Sequence, residues 1–152
     1  MVSGDDEVVR IFLEEIGEAE EKGDYSEFNQ KSIDNRLGWY ERNKDSLELV
    51  GSDVRKGYEL IMIKFMGLTP DEVKVVYEDE KKIVWWSTNW CPVLEACKKG
   101  GFDTRKVCRL GEEESVQRLI ENINPNLRYT RNYDKIRPYT DYCEEIIYLE
   151  ET

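Results

Sequence analysis

Four cysteines, at positions 91, 97, 108 and 143, all lie in the last two-fifths of a 152-residue chain that has no histidine. Cysteine is therefore the only side chain here that is both a soft-metal ligand and a nucleophile at neutral pH. The spacing is C-x5-C, then x10-C, then x34-C. A structural zinc knuckle needs short paired C-x2–4-C steps, and a ferredoxin-type cluster needs a short-spaced run. Neither is present, so a shared site has to be assembled in space from dispersed thiols. Buried, unreactive thiols are the simpler reading of any one of them.

Cys91 stands apart. It follows a strand-like run and precedes Pro92, which suits the first position of a helix. A thiol at a helix N-terminus gains from the free N–H groups there, so Cys91 is the candidate nucleophile. Cys97 falls within the same helix and reads as packing. Without histidine, a general base must be Asp, Glu, Lys, Tyr or metal-bound hydroxide. Glu95, one helical turn after Cys91, and Asp141 are the candidates. Trp85 and Trp86 alternate across a strand, so one of them packs in the core. The other, taken as Trp86, would wall a pocket beside Cys91 together with Trp90. Arg128, Arg131 and Arg137 approach the last strand, and one, taken as Arg128, would hold a small carboxylate in bidentate fashion. Surface pairing with the many acidic residues is the competing reading.

These residues must be positioned by the elements around them. Residues 5–22 read as an amphipathic helix, with Val8, Val9, Phe12, Leu13, Ile16 and Ala19 at helical spacing, Ser3 or Asp5 as cap and Gly23 as stop. A sparser helical pattern runs from Asp24 towards Leu49. A third helix, capped by Ser52 or Asp53, carries Val54, Tyr58, Ile61, Met62, Phe65 and Met66 and closes at Gly67. After Thr69-Pro70-Asp71 the period changes to alternation, giving a hairpin of strands over 73–77 and 83–88. Short helices follow over 92–99, 104–110 and 112–122, then strands over 127–130 and 142–149. The fold class is α+β: N-terminal helices packed on an antiparallel sheet interrupted by short helices. The length fits one domain, with a helical layer over 1–68 and the cysteine-bearing sheet and short helices over 69–152.

Charge narrows the partners. The net charge is −11. Residues 1–50 hold 14 acidic against 6 basic side chains, and the remainder 19 against 16, so the acidic excess sits with the N-terminal helices and the cysteine region is nearly neutral. Nucleic-acid and anionic-membrane binding need a basic face and are disfavoured. No apolar run approaches the ~20 residues of a membrane span. The acidic start has no signal-peptide core, which points to a cytoplasmic protein with reduced thiols.

The C-terminal half resembles the L-2-amino-thiazoline-4-carboxylic acid hydrolase family. The similarity spans roughly residues 83–149. It rests on Cys91-Pro92, the run Leu94-Glu95-Ala96, a glycine before the next helix, Cys108, the Asn124-Pro125-Asn126-Leu127 turn, and Cys143 opening the final strand. Cys97 is extra. The family's Gly-Asp before the last cysteine is replaced by Tyr139-Thr140-Asp141-Tyr142. The resemblance implies a small-molecule site around Cys91, Cys108 and Cys143 and hydrolytic opening of a cyclic sulfur–nitrogen amino acid at a C–N bond. Three thiolates on one zinc ion with an open position would also suit hydrolysis. The alternatives are a metal- or redox-sensing binding module without turnover, or a structural domain, for which a homodimer is the simplest assembly.

Overall fold

A computed structural model describes residues 4–151. Helix α1 spans Gly4–Lys22 and α2 spans Ser26–Asn43, followed by a 3-10 turn over Lys44–Ser46. Of the two caps expected for α1, Ser3 lies outside the described residues, and Asp5 falls inside the first turn. The second helix is shorter than its sparse apolar pattern suggests, because the chain turns extended at Leu47. Helix α3 spans Asp53–Tyr58, and the Ser52 hydroxyl accepts the Arg55 N–H at 3.2 Å as its cap. It continues without a break as a π-helix over Glu59–Phe65, where Met66 N–H bonds Ile61 C=O at 3.0 Å. The apolar spacing did not reveal this widening. It sets Ile61 and Met66, five residues apart, to the same side, and such widenings are often found at functional sites.

Strand β1 spans Val73–Glu78 and β2 spans Lys82–Ser87. Helices α4 (Pro92–Gly100), α5 (Thr104–Gly111) and α6 (Glu113–Ile120) follow, then β3 (Leu127–Asn132) and β4 (Cys143–Leu149). Gly101, at φ 72°, ends α4 in the left-handed region where a side chain would be strained. The four strands form one antiparallel sheet in the order β1-β2-β4-β3, so the hairpin strand β2 and the last strand β4 are the central pair. The fold is α+β.

Helices α3 and α6 pack directly on the sheet, whereas α1 packs chiefly on α4, and α2 on α6 and α5. The N-terminal pair therefore reaches the sheet through the short helices. One apolar cluster joins α3, α6 and the sheet around Tyr58, Trp85, Leu119 and Ile147. A second joins α1, α2, α4 and α5 around Ile16, Phe28, Ala96 and Val107. A small third contains Cys108, Ile136 and Cys143. The opposite face of the sheet carries Lys74, Tyr77 and Tyr148 in exposed positions. Among the described residues no helix is long and apolar enough to cross a membrane.

Candidate functional site

Residues from all three clusters meet around a cavity of about 60 Å³ that is partly open. A water needs roughly 10–15 Å³ of such space, so the enclosed part accepts a few waters or one end of a small ligand that reaches in from the open side. Cys91, Cys108 and Cys143 all line it. Three arginines do as well: Arg36 from α2, Arg131 from β3, and Arg137 from the loop before β4. Among the described residues, the one carboxylate in the wall is Glu145. A chain of net charge −11 thus lines this cavity with guanidinium groups.

Strand alternation explains the placement. Trp85 and Ser87 on β2, Cys143 and Glu145 on β4, and Arg131 on β3 all fall on the helix-covered face. In register, Ser87 pairs with Cys143, while Glu145 sits between Trp85 and Arg131. Glu145 is 2% exposed. One carboxylate oxygen accepts from Trp85 Nε1 at 3.1 Å and from the Ser87 hydroxyl. The other accepts from the Tyr129 hydroxyl at 2.5 Å and faces Arg131 Nη2 at 3.5 Å. Burial, and next to it the Glu145 carboxylate, push the Tyr129 phenol well above its ordinary value against the opposing pull of Arg131. Three hydrogen bonds and the Arg131 ion pair engage both oxygens of Glu145, so its carboxylate is committed to holding this wall together.

Arg36 is held the same way. Its Nη1 donates to Glu112 Oε2 at 2.8 Å and to Ser115 Oγ at 2.6 Å, and the ion pair is almost wholly buried. Arg36 Nε and Arg131 Nε, both buried, have no hydrogen-bond partner among the described residues. Buried donors left unpaired are uncommon, and a ligand is one way to satisfy them. Arg137 is anchored by Nη1 donating to Asn89 C=O at 2.6 Å and by Thr104 Oγ1 donating to its C=O at 2.8 Å. Its main-chain N–H and its Nε both point at Cys143 Sγ, at 3.4 and 3.3 Å.

The thiols differ. Cys91 is the N-cap of α4 with Pro92 next, as the sequence predicts, and it is the one cysteine that is not fully buried. Its pKa nevertheless goes up: burial outweighs the Leu94 N–H and the more distant Arg131 and Arg137. The helix terminus alone does not make it a thiolate. Cys97 is buried in the second cluster, outside the cavity wall, and burial pushes its thiol up to about 12. Burial also raises Cys108.

Several side chains singled out from the sequence stand elsewhere. Trp86 lies on the other face of the sheet, stacked on Tyr142 at 4.2 Å with its Nε1 donating to Glu144. Trp90 is 47% exposed and does not line the cavity. Arg128 pairs with Glu150 at 2.6 Å on the surface, and the arginines of this region that line the cavity are Arg131 and Arg137. Glu95 pairs with Lys98 at 3.4 Å, and Asp141 is exposed; neither lines the cavity. Among the described residues no group of three or more Cys, Asp or Glu side chains is placed to hold a metal ion. The three cavity thiols therefore do not fit the zinc set that their spacing allowed. Arg36, Glu112 and Glu145 were missed by sequence reading; the legible signal was a glutamate on the inward side of β4, between Cys143 and Ile147.

Comparison with protein-family profiles, with curated proteins and with solved structures finds no match to this chain.

Proposed function

We propose that the chain binds a small carboxylate in this cavity, with its thiols beside the ligand. The observation that carries the reading is that Arg36 and Arg131, two arginines lining one cavity, each keep a buried Nε donor without a partner among the described residues. Guanidinium matches a carboxylate in shape and charge. The volume limits the ligand to a small metabolite. The resemblance over residues 83–149 supports a finer version: a cyclic sulfur–nitrogen amino acid whose amidine carbon takes up water, followed by cleavage of a C–N bond. In that version the arginines orient the carboxylate and Glu145 holds Arg131 in place.

The test is thermal denaturation with a panel of small carboxylates, including 2-aminothiazoline-4-carboxylate, each compared with its uncharged amide. Carboxylates are expected to raise the melting temperature and amides are not, and Arg131→Met should abolish the difference. Equal shifts for acid and amide would overturn the reading. Turnover is read separately by mass spectrometry, as gain of one water by the ring compound.

A further inference from the structure

We infer that Cys143, rather than Cys91, is the thiol that forms a covalent bond with the cavity's ligand. The inference rests on the carboxylate-binding reading and adds to it the reacting atom; a thiol nucleophile needs an electrophilic carbon in the ligand, and a C=N carbon is the worked case.

Cys143 Sγ receives two N–H groups of one residue, the main chain and Nε of Arg137. Sulfur is a weak acceptor, and two donors converging on it suit charge on the sulfur better than a neutral S–H. Arg137 is held for that task from both ends, by Asn89 C=O and by Thr104. Of the three cavity arginines, Arg36 faces Glu112 and Arg131 faces Glu145, but Arg137 has no carboxylate partner among the described residues. Cys143 stands where a counter-charge for Arg137 would stand. It opens β4 beside Ser87, two residues before Glu145, so its sulfur is placed by the central strand pair of the sheet. The other candidates are less suited. Cys91 has one N–H, that of Leu94, beside its sulfur and no adjoining guanidinium hydrogen bond, and the Glu145 carboxylate is already engaged by Trp85, Ser87, Tyr129 and Arg131.

The step is an addition. The sulfur forms a bond to the electrophilic carbon, the C=N π pair moves to nitrogen, and the proton given up by the thiol ends on that nitrogen. No oxidant or reductant is needed. Arg36 and Arg131 would hold the carboxylate while Arg137 steadies the attacking sulfur.

The test uses the full chain and two alkylating probes, iodoacetate and iodoacetamide, at equal low concentration, with peptide mapping by mass spectrometry over time. Cys143 is expected to be the first cysteine modified by iodoacetate. Arg137→Gln should slow modification at Cys143 by about tenfold or more, the scale of a lost charged hydrogen bond, while the Cys91 rate, which feels Arg137 only at a distance, falls much less. Cys143→Ser should remove the fast phase and serves as the control if the arginine variant folds poorly. Earlier labelling of Cys91 or Cys108, or an unchanged Cys143 rate in the arginine variant, overturns the inference. The two readings fail separately. Preference for iodoacetate with labelling at Cys91 keeps the carboxylate site and removes Cys143 as its nucleophile. Labelling at Cys143 with no preference for the anionic probe removes the carboxylate reading on which the ligand class rests.

Discussion

Arg131 and Glu145 face each other across β3 and β4, with Nη2 3.5 Å from Oε1 and side chains 15% and 3% exposed. The pair lies on the helix-covered face of the sheet and in the cavity wall. Removing one member of a buried pair leaves the other uncompensated, at a cost of about 3–5 kcal/mol. Glu145→Ala should therefore lower stability by roughly that amount. Glu145→Gln, which keeps the shape and most acceptors, should lose less. Urea unfolding monitored by tryptophan fluorescence measures both, and a loss below about 1 kcal/mol for Ala would show the pair to be immaterial.

Neither Trp86 nor Trp90 lines the cavity. Trp86 stacks on Tyr142 with rings 18° apart on the far face of the sheet, and such pairs contribute about 0.5–1.5 kcal/mol beyond burial. Trp86→Ala, which also removes a half-buried indole, should reduce stability by more than that and leave carboxylate affinity within a factor of about two. Trp90→Ala should likewise spare affinity, while Arg131→Met should abolish it. Isothermal titration with the carboxylate that gives the largest thermal shift decides, and a tenfold loss in Trp86→Ala would put that ring at the site after all.

Ligand binding should also appear as stability. A carboxylate at a hundred times its dissociation constant adds about 2.7 kcal/mol to unfolding, and the increment grows with the logarithm of concentration. Melting curves over a concentration series test this directly. A shift that saturates, or that chloride reproduces, would point to general screening instead.

Alkaline pH should weaken the fold. Cys97 is protonated in the native state up to about 12, whereas its ordinary value is 9.0. Cys91 and Cys108 shift the same way, chiefly through burial. Between these values the unfolded chain has released protons that the native state keeps, so stability is whole below pH 9 and falls as pH rises towards 12. Each such thiol steepens the fall by up to about 1.4 kcal/mol per pH unit. Cys97→Ala should flatten the slope of unfolding free energy between pH 9 and 11 by about one proton, whatever it does to stability at pH 7. An unchanged slope would show that Cys97 ionises freely in the native state.

Two glycines make a steric pair. A Cβ at Gly111 would come 2.4 Å from Phe28 Cδ1, on a ring buried between α1, α2 and α5. A Cβ at Gly57 would meet Ile147 Cδ1 at 3.1 Å, the end of a flexible side chain. Gly111→Ala should cost about 1–3 kcal/mol of overpacking. Gly57→Ala should be near neutral, since the helix gain of roughly 0.5–1 kcal/mol offsets a small shift of Ile147. Thermal melts of the two variants give the order.

The sequence by itself determined the elements. Apolar spacing of three and four set α1 and α3, the change to alternation at Val73 set the hairpin, and Pro92 and Gly101 bounded α4, because these are local preferences of backbone and side chain. Cys91, Cys108 and Cys143, expected to share a site, do come to line one cavity. The tertiary structure decided which charged groups face them. Arg36 and Glu112 are 76 residues apart in the chain, and Trp85 and Glu145 are 60 apart. Their meeting depends on strand order β1-β2-β4-β3 and on the docking of α2 against α6, which no local window encodes. The same holds for the difference between Arg128 and Arg131. Three residues apart on one strand, they point to opposite faces, so one spends its charge on surface Glu150 and the other is buried against Glu145. The burial that raises Cys91 has this origin too: the helix terminus was visible in the chain, whereas the packing that outweighs it exists only when the cavity walls have come together.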